Sequence, residues 1–151
     1  MQVRVKWLDG MAFVGETGTG HAVVMDGAPE VGGRNLGARP MEMLLLGLGG
    51  CTSFDVIAIL KKARQPVLDC AVTVEAKRSE KVPKVFTEIA VHFHVYGNGL
   101  SEKHVARAVD LSANRYCSAS IMLGASAKIT HDFSIFEGPA PRQEGGVAAE
   151  E

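Results

Sequence analysis

The sequence contains no run of lysine or arginine, and its 16 basic against 17 acidic residues leave a net charge of -1. A phosphate backbone or an anionic membrane surface finds no electrostatic footprint on such a chain, so nucleic acid is not an expected partner. Long apolar runs are missing as well. The longest, Met43 to Leu48, gives way to Gly49, Gly50, Cys51 and soon Asp55, well short of the ~20 apolar residues that span a bilayer. No membrane helix is expected. The opening residues alternate instead of following the charged, apolar, small-residue order of a secretory signal, and a cytoplasmic protein is expected. Cysteine is scarce, with 3 residues. In a reducing compartment three thiols do not build a structural disulfide framework, so any pairing among them is expected to be catalytic or sensory. No internal repeat is present, and no strand leads into a glycine-rich phosphate loop, because the Gly47 to Gly50 cluster falls inside a helix.

What is present is ordinary globular material. In 151 residues, 46% hydrophobic and 22% charged, there is enough for one packed domain, placed at residues 1–136. The remainder, 137–151, rich in Pro, Gly, Ala and Glu, reads as a mobile tail.

Hydrophobic periodicity orders the elements. Val3, Val5 and Trp7 alternate with polar residues as in a half-buried strand, and Asp9-Gly10 is a hairpin turn. Met11 to Glu16 and His21 to Met25 continue a meander, and Asp26 to Arg39 is a loop ending at Pro40. Proline suits a first helical turn, so one long helix of ~35 Å is predicted from Met41 to about Ala63. Its first half is apolar nearly all round, which requires cover by a sheet and by a second subunit. Gly47, Gly49 and Gly50 cost such a helix about 1 kcal/mol each, a cost tolerated where another backbone or a substrate comes close. Cys70 to Ala76 and Ile89 to Val95 alternate as two long paired strands. Ser101 caps a second helix with Val105, Ala108, Val109 and Ser112 on one face, Ser118 to Ala127 makes a third, and Ile129 to Ile135 a last strand. The predicted class is α+β, an antiparallel sheet wrapped around a long central helix in the order βββαββααβ.

Two segments carry a resemblance. Pro40-Met-Glu-Met-Leu-Leu-Leu-Gly-Leu-Gly-Gly-Cys51 resembles the central-helix motif of the OsmC/Ohr (organic hydroperoxide resistance) family, where proline opens the helix and cysteine lies eleven residues on. Ala113-Asn-Arg-Tyr-Cys117-Ser-Ala-Ser resembles the segment around the family's second cysteine. The likeness covers about residues 1–136 and is nearest the branch reading Pro-Met-Glu-Met/Leu and Gly-Gly-Cys. It implies an intertwined homodimer that reduces organic hydroperoxides, with Cys51 as peroxidatic thiol, Cys117 as resolving thiol, and an external dithiol or lipoyl-type reductant restoring both. No bound cofactor and no metal are implied. The chemistry is coherent: a thiolate takes an oxygen from the peroxide, and the sulfenic acid condenses with a neighbouring thiol before further oxidation.

The chain departs from the family pattern twice. The family's glutamate follows the helix proline directly, but here Met41 stands there and the acid is Glu42. At about 100° per residue, ten positions place a side chain about 80° from the cysteine, and nine place Glu42 about 180° away. The family's arginine has no counterpart between Val14 and His21, leaving Arg34 and Arg39 as possible supports from the loop. Other residues read more plainly. Asp55, one turn after Cys51, would oppose a thiolate and is expected to be hydrogen-bonded structure. Cys70 shares the core face of its strand and should stay reduced. His92 and His94 share the other kind of face, and a polar sheet surface accounts for them better than a metal. Two alternatives remain: a non-enzymatic dimer that binds a small ligand or senses redox state, and a thioester hydrolase, since hotdog folds also wrap a sheet around a helix. The paired cysteines and extra helices speak against the second.

Overall fold

The computed structural model describes residues 1–141. It forms two compact units, residues 1–47 and the residues from Leu48 onward.

In the first unit, strands β1 (Val3–Asp9), β2 (Ala12–Thr17) and β3 (Ala22–Met25) form an antiparallel meander in sequence order. Trp7 Nε1 donates to the Gly10 carbonyl at 2.9 Å and so steadies the first turn. The loop after β3 is organised by Asp26, 1% exposed, whose carboxylate accepts from the backbone N–H groups of Gly27, Arg34 and Leu36. Those donors, Arg34 first, hold the Asp26 carboxyl below its ordinary pKa. Gly33 is obligatory here, because a Cβ would stand 1.9 Å from the Gly27 carbonyl oxygen. β1 departs from expectation. It is exposed along its whole length, Val3, Val5 and Trp7 included, so the alternation that predicted a half-buried strand finds no cover among the described residues.

Helix α1 runs Pro40–Lys62, within a residue of prediction at each end. By length and composition it is apolar enough to cross a membrane, with mean hydropathy 1.9 over 18 residues, which the expectation from the short run Met43–Leu48 had not allowed for. Four residues on one stripe, Leu48, Thr52, Val56 and Leu60, are nevertheless fully buried, the habit of a helix laid on a protein core. Of its glycines, only Gly49 meets a close neighbour, since a Cβ there would lie 3.3 Å from Val74; Gly47 and Gly50 face open space. The tight approach expected at all three is met at one.

In the second unit, β4 (Val67–Arg78), β5 (Phe86–Gly97) and β6 (Lys128–Glu137) form a separate three-stranded sheet with β5 central. Ile89, Val91, Phe93 and Val95 on the inner face of β5 are at most 1% exposed; with Val105, Ala108 and Val109 they supply most of the core. β4 and β5 are antiparallel, but β6 runs parallel to β5, which corrects the expectation of a wholly antiparallel sheet. The cause is the crossover between them, α2 (Glu102–Leu111), a single π-helical turn (Ser112–Tyr116) and α3 (Ser118–Gly124), a connection of the kind that returns a chain parallel. Ser101 holds the N-cap position of α2 without a side-chain cap bond, and its N–H goes instead to Gln65 Oε1 at 2.9 Å. Glu137, read as the start of a mobile tail, closes β6; the rest of that tail from residue 142 lies outside the described residues.

Candidate functional site: two thiols where the central helix meets the crossover

The π turn determines where Cys117 points. Its extra residue is closed by the Cys117 N–H donating to the Ser112 carbonyl at 2.9 Å, and the chain then turns so that Cys117 becomes the N-cap of α3. The Cys117 sulfur, fully buried, accepts from the Ser120 N–H at 3.4 Å. Ser112 also ties this turn to α1. Its hydroxyl lies 2.8 Å from that of Thr52, both fully buried, and reaches Asp55 Oδ2 at 3.3 Å. Thr52 follows Cys51, so the same tether sets Cys51 beside the start of α3.

Cys51 is half-buried. The backbone N–H of Ala119 acts on it most strongly and favours the thiolate, but burial, the neighbouring Cys117 thiol and the Asp55 carboxylate together outweigh it, and the Cys51 thiol is pushed above its ordinary pKa. Asp55 thus sits as expected, hydrogen-bonded and opposing the anion. Sequence reasoning missed the Thr52–Ser112 pair and the Ala119 N–H. A hydroxyl next to Cys51 and another, Ser112, in line with the apolar face expected for the second helix were the available signals; the backbone donor leaves none.

The other nominated residues are engaged elsewhere. Glu42 accepts from the Arg39 N–H at 2.8 Å and from the Arg39 guanidinium at 3.0 Å. Three residues after the N-cap, its carboxylate reaches back to the cap N–H as half of a capping box, and that backbone bond, ahead of the Arg39 charge, holds its pKa down. Arg34 is paired with Asp9. Both arginines therefore have acid partners within residues 1–47. Cys70 is half-buried on β4, and burial, with Asp69 nearby, pushes its thiol to about 11, which keeps it protonated at neutral pH. His92 and His94 lie on the outer sheet face; His94 meets the Thr73 hydroxyl at 3.3 Å, and His92 meets Asp132 and Ser134. Among the described residues no group of three or more His, Cys, Asp or Glu is gathered for a metal.

A mixed α+β fold with two three-stranded sheets and a central helix, bearing one thiol near another, is the architecture of the OsmC/Ohr class. The family described as OsmC-like protein matches residues 32–132. The chain belongs to that family. Protein YhfA of Escherichia coli K12 is 46% identical over 138 residues, 89% of this chain and 98% of YhfA. A solved structure from Aquifex aeolicus VF5 is 31% identical at a TM-score of 0.80, covering 91% of this chain and 96% of that one. An organic hydroperoxide resistance protein OsmC from Legionella pneumophila, 18% identical, shares the fold at a TM-score of 0.68 over 89% of this chain and 97% of its own.

Proposed function

We propose that the chain is a cytoplasmic homodimeric thiol peroxidase that reduces organic hydroperoxides, with Cys51 peroxidatic and Cys117 resolving. The observation that carries this reading is the placement of Cys51 beside both the Cys117 thiol and the Ala119 N–H. The Cys51 thiolate attacks the terminal peroxide oxygen, the O–O bond breaks, and the alcohol leaves after taking a proton. The resulting sulfenic acid condenses with the Cys117 thiol, forming the disulfide and releasing water. An external dithiol of lipoyl type reduces the disulfide by exchange. The Ala119 N–H takes the part of anion support that neither Arg34 nor Arg39 is free to take. The name of the Legionella neighbour agrees with this activity.

One equivalent of cumene hydroperoxide should remove two of the 3 thiols, and peptide mapping should find a Cys51–Cys117 link with Cys70 free. Oxidation centred on Cys70, or no such link, overturns the assignment. The raised Cys51 pKa favours a second reading, a redox sensor or ligand-binding dimer of low turnover. Multiple turnovers with a lipoyl dithiol exclude it; a single oxidation event without cycling supports it.

A further inference from the structure

The outer face of the β4–β5–β6 sheet carries a chain of three side chains that the thiol chemistry does not use. His92 Nδ1 lies 2.6 Å from Asp132 Oδ1, and His92 Nε2 lies 3.0 Å from Ser134 Oγ. The parallel register builds the arrangement. His92 stands opposite Asp132 and His94 opposite Ser134, so residues two apart on β6 project from one face and bracket the imidazole between them. A carboxylate only accepts, which makes Nδ1 the protonated nitrogen. A neutral ring then leaves Nε2 as the acceptor, and Ser134 O–H donates to it. Serine, base and orienting carboxylate are thereby connected at the distances that activate a nucleophile.

We propose that Ser134, His92 and Asp132 form a hydrolytic site for activated aryl esters of short acids, distinct from the cysteine pair and independent of its function. Ser134 Oγ attacks the ester carbonyl carbon while its proton passes to His92 Nε2. The bond between the carbonyl carbon and the aryl oxygen breaks, and the aryloxide leaves as the His92 proton passes to it or to solvent. The neutral His92 then takes a proton from water, the hydroxide adds to the acyl carbon and breaks its bond to Ser134 Oγ, and His92 returns the proton to the serine as the acid departs. Asp132 is a positioning residue that fixes the tautomer of His92. Two observations select the substrate class. The site is open, with the Asp132 side chain 76% exposed, so bulk water bears much of the developing oxyanion and the leaving group must be a good one. Beside it Phe136, two residues beyond Ser134 on the same strand face, stacks on Tyr96 at 4.9 Å and 21°, an apolar platform for an aryl ring.

The test uses the full chain. A fluorophosphonate, which modifies activated serines, should label the wild-type protein, and mapping should place the adduct on Ser134. In a C51A/C117A background, which removes the paired thiols as ester nucleophiles, 4-nitrophenyl acetate hydrolysis should fall at least tenfold in Ser134→Ala and in His92→Ala. Asp132→Asn should lower kcat with KM little changed, a split that a merely structural role would not produce. Hydrolysis unchanged in Ser134→Ala, or lost in His92→Ala alone because the imidazole itself attacks, overturns the proposal. Should the alanine variants unfold, the labelling of the wild-type chain decides, and an adduct absent from Ser134 is equally fatal.

Discussion

Cys51 shows how competing local effects set the behaviour of one thiol. The Ala119 N–H lowers its pKa, while burial, Cys117 and Asp55 raise it, with a net upward shift. The protonated form is thus the resting one at neutral pH, and the reactive thiolate increases about tenfold per pH unit until the raised value is passed. Iodoacetamide alkylation at Cys51 should climb through pH 9 without levelling, followed by mass mapping to separate it from Cys70. A plateau below pH 8 would mean a stronger support for the anion than the Ala119 N–H. Asp55→Asn removes one of the opposing charges and should shift the alkylation curve to lower pH. Glu42 makes the opposite point, since its acid is spent on the helix start. Glu42→Ala should cost about 1 kcal/mol in urea unfolding, the usual value of a lost cap, and leave peroxide turnover nearly unchanged. The departure of Glu42 from the family position was legible in the sequence. Its capping of Arg39 was not read, although an acid three residues after an N-cap is a local signal.

At the scale of elements, periodicity located the six strands and three α-helices of the described residues to within a few residues, because alternation and apolar stripes record which face each segment turns to a core; the short 3-10 turn Pro29–Val31 fell in a stretch read as loop. What the pattern did not contain was direction and partnership. β6 alternates in the same way whether it runs parallel or antiparallel to β5, and only the length of the crossover distinguishes the two. The π turn was invisible for a related reason: the widened turn Ser112–Tyr116 changes the aim of Cys117 without leaving a mark in the hydrophobic pattern. The Thr52–Ser112 contact joins residues 60 apart in sequence, and nothing in a linear pattern links them. That contact is the lock between α1 and the turn. Thr52→Val leaves the Ser112 hydroxyl buried with weakened partners and should destabilise the fold by about 1–3 kcal/mol in chemical denaturation. Adding Ser112→Ala should recover part of the loss, because removing both polar groups avoids stranding either one. Strict additivity of the two substitutions would show that the hydroxyls do not act as a pair.

At the scale of the molecule, large apolar side chains are left open to solvent. Trp7 is 60% exposed, Leu46 61% and Phe54 77%, and Gly50, Ser53, Phe54, Ile57, Ala58 and Lys61 line an open groove of about 460 Å³ along α1. Surfaces of this kind are often covered by association, and a second copy is the cover expected for a helix whose first half reads as apolar nearly all round. Light scattering at micromolar concentration should give twice the 16.1 kDa chain mass, and Phe54→Asp should return it to the single-chain value. A wild-type monomer at that concentration would remove the homodimer from the functional reading.

The parallel pairing of β5 with β6 also governs the order in which the chain can assemble. β4 and β5 are neighbours in sequence and can zip from their connecting turn, whereas His92 must wait for Asp132, 40 residues later, and the loop between them has to close before any bond of that ladder repays it. The central strand of the sheet therefore has one edge unsatisfied until β6 has been made, a length of exposed backbone open to strand exchange with another nascent chain. Glu88 keeps a charge on the waiting strand β5, the kind of residue that blunts edge-to-edge pairing during the interval. Neutralising Glu88 should show its effect in the yield of soluble protein rather than in its melting temperature.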